Sequence, residues 1–455
     1  MFSGVSGLRA HQTRMDVIGN NVANVNTVGF KSGRVTFQEV FSQTLKGAGS
    51  PDSTSGRGGT NPMQVGLGVG VGAVDTITTR GSSQRTDNPT DLSIEGEGFF
   101  IVKGGNDGSY LFTRAGNFGI DKLGNLVSSN GMNVYGWQDY GGVAQADGTY
   151  KFDTEKPVEP INLFSDVYNK NKKMIAAQAT TKAVFSGNLD ASKAALGASG
   201  IAAATSPQFS VPLTVYDSLG NDYKININFW KDTASGLTAS GASGVTGGTT
   251  WYWTATVGAG KTASFGSSTA AGFIKFDTEG QIITGASGFS TSPVIHLIPD
   301  ANVGTEPVKI ALDFQKLTMF ASDSSVKPSD VDGYPTGNLT TFTIGADGII
   351  IGVYSNGRQQ PLGMLALASF ENPAGLIKVG DNMFLPSTNS GEFKKGLKAG
   401  SEGVGTLNPG TLEMSNVDLS REFTDMIVTQ RGFQANSRII TTTDEMLQEL
   451  VNLKR

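Results

Sequence analysis

LSREFTDMIVTQRGFQANSRIITTTDEMLQELV, residues 419–451, decides the fold. Leu419, Met426, Phe433, Ile440 and Leu447 return every seven residues, and Phe423 and Val451 fill an adjacent row. That period belongs to a helix with one apolar stripe. The helix is expected to start after Pro409-Gly410, with Ser415 or Asn416 as N-cap and Asp418 and Glu422 in its first turns. It is expected to run to Lys454-Arg455, whose charges suit a helix C-terminus. About 36 to 40 residues at ~1.5 Å each give a rod of roughly 55 to 60 Å, which needs a partner.

The other end of the chain supplies one. Met1, Val5, Leu8, Met15, Ile18, Val22 and Val25 recur at steps of three and four or their sums. This helix should stop near Thr27 to Gly29, where Asn24 and Asn26 are poor helix formers and Gly29 suits a left-handed cap. The two stripes can bury each other, which predicts a coiled-coil-like stem built from both termini. Gln12 and Gly19 interrupt the first stripe; Gln430, Ser437 and Asp444 interrupt the second. Such residues weaken a closed two-helix seam but can face neighbouring chains in a larger bundle. The ends are therefore expected to order on assembly.

The 455 residues suggest about three units at ~150 residues each. Charged residues make up only 16% and glycine numbers 61, which favours a turn-rich β body between the helices. A net charge of -5 gives no basic footprint, so nucleic acid is not an expected partner. With no cysteine, disulfides, thiolate metal sites and cysteine nucleophiles are excluded together. The first residues hold no apolar run of a cleaved export signal, and no stretch approaches ~18 apolar residues, so no membrane span is expected.

The expected fold class is α+β, mainly β, with two nested discontinuous β domains. Hairpin dipeptides fall in two groups: Asp107-Gly108, Asn130-Gly131 and Asp147-Gly148, then Asp332-Gly333, Asp347-Gly348 and Asn356-Gly357. Between them lie Ala-, Gly-, Ser- and Thr-rich stretches around the alternating Leu213–Val215 and Tyr223–Phe229 hairpin. This pattern divides the chain into a stem of 1–28 with 412–455, a connector of 29–74 with 400–411, an inner β domain of 75–145 with 318–399, and an insert of 146–317. Within the connector, Gly47 to Gly59 reads as a soft, extended link.

Several motifs suggest chemistry and do not sustain it. Ala255-Thr-Val-Gly-Ala-Gly260-Lys261-Thr262 is a loose phosphate loop, but residues 263–272 show no helical period, so a hairpin turn is expected. Gly66, Gly68, Gly70 and Gly72 fall every second residue, which suits a strand in close backbone contact. The two histidines, His11 and His296, sit in a helix and a strand-like run, and Glu95 and Glu97 read as solvated charge. Neither catalysis, metal nor cofactor is expected.

Ser3-Gly-Val-Ser-Gly-Leu-Arg-Ala-His-Gln12 and Ile18-Gly-Asn-Asn-Val-Ala-Asn-Val-Asn-Thr-Val-Gly-Phe-Lys31 resemble the N-terminal signature of bacterial flagellar rod and hook axial proteins. Leu92–Ile101, Phe112–Phe118, Asp121–Val127 and Ser415–Leu453 agree with the same family. The resemblance gives Asn20, Asn21, Asn24, Gly29, Phe30 and Lys31 as family-motif positions. Length and the insert are similar to the hook branch rather than to the shorter distal rod members, which remain the alternative. A secreted Gly-rich adhesin or enzyme with a helical tether is the alternative of another class.

The resemblance implies a structural subunit that polymerises with itself into a curved, flexible tube joining rod to filament and carrying motor torque. Its implied partners are distal rod, hook-cap and hook–filament junction proteins and the flagellar type III export apparatus, with the polymer outside the cell and no cleaved signal. Phe37-Gln-Glu-Val-Phe41 is similar to the element such subunits present to the export gate. The stripe residues expected to drive assembly are Val5, Leu8, Met15, Ile18, Val22, Leu419, Phe423, Met426, Phe433, Ile440 and Leu447.

Overall fold

The computed structural model describes residues 2–51, 58–104, 108–139, 151–165, 172–196, 206–233, 248–258, 263–266, 270–283, 292–300 and 304–453. Among them the α-helices are α1, Phe2–Ala23, and α2, Leu419–Asn452; nearly all other regular structure is strand. The chain divides into two compact units. The first is Met1–Asn169 with Phe342–Gly352 and Gln360–Arg455; the second is Lys170–Thr341 with Val353–Gln359.

In the first unit, strand Phe99–Lys103 pairs with Leu111–Thr113 on one side and Asn133–Trp137 on the other. Trp137 pairs in turn with Met364 of strand Gln359–Ala368. One face of this sheet carries Phe99, Ile101, Phe112, Tyr135, Trp137, Met364 and Phe384, all buried in one cluster. Asn130-Gly131, Asp347-Gly348 and Asn356-Gly357 stand between consecutive strands with each glycine at positive φ, as hairpin turns require.

The second unit is two sheets around one core. Phe209–Tyr216, Asp222–Asp232, Thr249–Val257 and Ala271–Phe276 form one antiparallel sheet in that order. Ala263–Phe265, Val294–Pro299, Val308–Phe320, Lys182–Asp190 and Lys327–Val331 form the other, with a parallel pair at its centre. Alternate residues of both sheets, among them Phe185, Leu213, Tyr223, Ile225, Phe229, Trp251, Trp253, Leu312 and Phe314, are buried together.

The insert boundaries differ from 146–317. Phe152 and Val158 are buried in the first unit's core, and Glu159–Pro160 pairs with Tyr135 and Gly136, so this stretch stays with the first unit. At the other edge, Val308–Phe320 runs through Leu317 without a break and Lys327–Val331 closes the second unit's sheet. Asp332-Gly333 is not a hairpin either: Asp332 accepts the Thr181 and Lys182 amides at 2.8 and 3.0 Å. Asp107 and Asp147 lie outside the described residues.

The loose phosphate loop is flanked by Thr249–Val257 and Ala263–Phe265, which belong to different sheets. Residues 259–262, the expected turn itself, lie outside the described residues; the next described element is the strand Ala263–Phe265, not a helix whose N-terminus could hold a phosphate. The alternate glycines do not share one strand: Gly66 ends Met63–Gly66, Gly70 and Gly72 lie in Val69–Thr76, and Gly68 stands between the two at φ +122, where a Cβ would come within 2.2 Å of Ser6 Oγ.

Candidate assembly site

The termini meet as an antiparallel helix pair. Gly4 and Gly7 face Asn436, His11 faces Gly432, Arg14 bonds Asp425 at 3.0 Å, and Asn21 bonds Glu422 at 3.2 Å. A Cβ on Gly7 would lie 2.7 Å from Asn436 Nδ2, and one on Gly432 would lie 2.7 Å from the His11 ring. The backbones therefore approach where side chains are smallest. On α1 the buried positions are Gly4, Gly7, Ala10, Ile18 and Asn21; on α2 only Thr429 is buried.

This seam is not the stripe read from hydrophobic period. Among the described residues of the α1 stripe only Ile18 is buried; Leu8, Met15, Val22 and Val25 are half-buried and Val5 is exposed. On α2, Leu419, Phe423, Phe433 and Leu447 are exposed, and Met426 and Ile440 are half-buried. Ile427, Val428, Ile439, Met446, Leu450 and Val451 are exposed as well, so large apolar side chains flank the seam without filling it. Close packing through glycine leaves no room for them between the helices.

The N-cap of α2 is Asp418, whose Oδ1 accepts the Ser420 and Arg421 amides at 2.9 and 3.3 Å. Asn416 cannot cap because its side chain is committed elsewhere: it accepts the Ser32 amide at 2.8 Å and donates to the Ile77 carbonyl at 2.9 Å. Ser415 Oγ accepts the Val417 amide instead. The described helix ends at Asn452, and Lys454 and Arg455 lie outside the described residues. α1 ends at Ala23, earlier than expected, because Asn24 folds back to bond the Asn20 carbonyl at 2.9 Å. Gly29 is nevertheless left-handed, at φ +69.

Below the helices the two chain ends are tied by a buried ionic cluster. Glu413 Oε1 accepts Lys31 Nζ at 2.6 Å and the Gly81 amide at 3.1 Å, while Oε2 accepts Arg114 Nη1 at 3.2 Å. The three side chains are 0 to 2% exposed. Lys31 also donates to the Thr79 carbonyl at 2.9 Å, and Arg114 lies over the Phe99 ring. Burial pushes the Lys31 ammonium below the ordinary lysine range, and the Glu413 carboxylate opposes that push.

The family-motif positions serve this junction. Asn21 exchanges two 2.9 Å bonds with Gly33, fixing the chain as it leaves α1. Gly29 donates to the Glu413 carbonyl at 2.8 Å, and a Cβ there would strike Ala115 N at 2.6 Å. Phe30 is buried with the Lys378 ammonium over its ring. Asn20 accepts from Asn24, closing the last turn.

Phe37 lies in strand Gly33–Glu39, edge-on to His11 at 5.6 Å, whereas Phe41 is 62% exposed. His11 is wedged against Gly432, with Nδ1 buried and unpartnered; burial first, then Arg14, lowers its pKa. Among the described residues no cluster of three or more His, Asp or Glu could hold a metal, and no helix is long and apolar enough to cross a membrane.

Flagellar hook proteins of Borreliella burgdorferi and Treponema pallidum are each 40% identical to this chain, over 100% of it and 99% of their own length. The chain belongs to the flagellar hook protein family. The hook protein of Escherichia coli is 32% identical over 99% of the chain and 98% of its own. Family models match in four places: "Flagella basal body rod protein" at 1–31, "Flagellar hook protein FlgE/F/G D1 domain" at 93–163, "Flagellar basal body protein FlaE D2 domain" at 188–334, and "Flagellar basal body rod FlgEFG protein C-terminal" at 408–453.

A crystal structure of a Helicobacter pylori flagellar hook protein shares the fold, with a TM-score of 0.50, 14% identity and coverage of 73% of this chain and 100% of that one. Hook proteins are structural, not catalytic. The family models at the two ends meet at the junction: Lys31 closes one matched segment, and Glu413 lies near the start of another. Arg114, which joins them, falls in a third.

Proposed function

We propose that this chain assembles with copies of itself into the curved, flexible hook tube that joins rod to filament and carries motor torque. The observation behind this reading is the helix pair, which leaves large apolar side chains bare on both flanks of a glycine-lined seam. Covering each such side chain contributes ~1.5 to 3 kcal/mol, so a neighbouring copy gains much by packing there. An interface repeated head to tail with a rotation that does not close gives an open helical tube. The seam itself buries few apolar atoms, which supports helices that gain most of their stability in the polymer.

On this reading 1–28 with 412–455 is the assembling stem, and the two β units are carried by the same chain. The partners would be distal rod, hook-cap and junction proteins, with export through the flagellar type III apparatus to a position outside the cell. Exposed Phe41 suits a contact at the export gate; Phe37, partly covered by His11, suits it less. Gly47–Gly59 is not an extended link, since Ser42–Lys46 pairs antiparallel with Met63–Gly66 and Gly49 bridges Thr60, which makes it the far end of a hairpin; flexibility would draw on that end, of which 52–57 lie outside the described residues.

A second reading, a distal rod subunit, draws on a Bacillus subtilis relative named as a basal-body rod protein, 30% identical over 100% of the chain. Polymer shape separates the two, curved for hook and straight for rod. Electron microscopy of cells lacking the chain is expected to find basal bodies with rods but no hooks, and persistence of normal hooks would refute the reading.

A further inference from the structure

The face of α2 turned away from α1 carries charge in two separate blocks. Arg431, Arg438 and Glu445 recur every seven residues, and Glu449 stands one turn later, so all four share one helix face. All four are exposed, and none makes an ion pair among the described residues. Exposed apolar residues accompany both blocks: Ile427, Val428 and Ile439 beside the arginines, Met446, Leu450 and Val451 beside the glutamates. The acidic block lies past Ile440, where α1 has reached Gly4 and little of it remains to cover α2.

Arg431 and Glu445 stand 14 residues apart on a straight helix, about 21 Å, too far to pair within one chain. Copies in a helical polymer share one polarity, because a rotation and a rise about the axis never reverse a helix. Two neighbouring α2 helices in register would set arginine on arginine and glutamate on glutamate. Sliding one copy by about two heptads sets Glu445 and Glu449 against Arg431 and Arg438 and brings the two apolar groups together.

Resting on the self-assembly reading, we propose that the Glu445/Glu449 end of α2 docks on the Arg431/Arg438 belt of α2 in a second copy, staggered by about two heptads. The contact is heterologous, so it propagates instead of closing a dimer. Like-charge repulsion selects against the unstaggered register, giving the polymer a fixed axial step.

The test uses the full-length chain and its critical concentration for tube formation. Glu445→Lys with Glu449→Lys should raise that concentration about tenfold, equal to ~1.4 kcal/mol, and Arg431→Glu with Arg438→Glu should do the same. Because all four sites are exposed, the monomers should keep wild-type circular dichroism. Combining all four reversals restores opposite charges across the contact and should return the value to within about threefold of wild type. Wild-type assembly should also weaken with added sodium chloride.

Reversed pairs that assemble at the wild-type concentration would overturn the proposal. So would a combined variant that stays as impaired as its parents. A wild-type chain that forms no tubes would instead contradict the self-assembly reading on which the proposal rests.

Discussion

Glu413→Ala is expected to destabilise the first unit by about 3 to 5 kcal/mol while leaving the second unit untouched. Its carboxylate is the shared acceptor for Lys31 and Arg114, and all three groups are buried. Removing it leaves buried Lys31 without a carboxylate partner and Arg114 with only the exposed Glu97, at 3.6 Å, and breaking a buried pair in this way costs ~3 to 5 kcal/mol. The Gly81 amide loses its acceptor at the same time.

Scanning calorimetry reads the effect as a drop on the order of 10 °C in the transition of the first unit. The second unit has its own core and serves as an internal control. Apolar replacement of the whole cluster, Lys31→Met with Arg114→Met and Glu413→Leu, should recover most of the loss, since buried ion pairs often break even against well-packed apolar groups. An unchanged thermogram for Glu413→Ala would mean that the cluster does not tie the chain ends together.

Phe423→Asp combined with Phe433→Asp is expected to abolish tube formation without unfolding the subunit. Phe423 is 50% and Phe433 40% exposed, so neither fills a core in the single chain. In the polymer each aromatic ring would be covered, and placing a carboxylate there costs the buried area and adds an unpaired charge. Two such losses per subunit, repeated at every contact, exceed what a reversible polymer withstands. Sedimentation should find only monomer, with the circular dichroism of the parent. Normal curved tubes from this variant would remove the helix flanks from the assembly account.

Both helices were legible because seven-residue and three-to-four-residue periods persist over many turns at the chain ends. The seam between them was not legible from the same signal. Apolar period marks where large side chains stand, whereas the helices approach through Gly4, Gly7, Ala10, Gly432 and Asn436, where side chains are small. The three-residue spacing of Gly4, Gly7 and Ala10 was present in the sequence and could have pointed to that close face. The expected stripe thus identified bare residues more than buried ones.

The ionic cluster could not have been read at all. Lys31 and Glu413 are 382 residues apart, and Arg114 and Glu413 are 299 apart. Nothing local to a lone lysine after Gly29-Phe30 reveals a carboxylate so distant in sequence. The N-cap moved from Asn416 to Asp418 for a related reason, since tertiary partners occupy the Asn416 side chain. Limits of the second unit failed where turn dipeptides misled: Asp332-Gly333 is held by the Thr181 and Lys182 amides instead of reversing a hairpin.

Amide hydrogen exchange, compared between the soluble subunit and its assembled tubes, tests the account most directly. Protection should rise strongly over Phe2–Ala23 and Leu419–Asn452 on assembly, most of all around Phe423, Phe433 and Leu450, while the core strands of the second unit exchange alike in both states. Terminal helices that exchange as fast in the tube as in the free chain would contradict it.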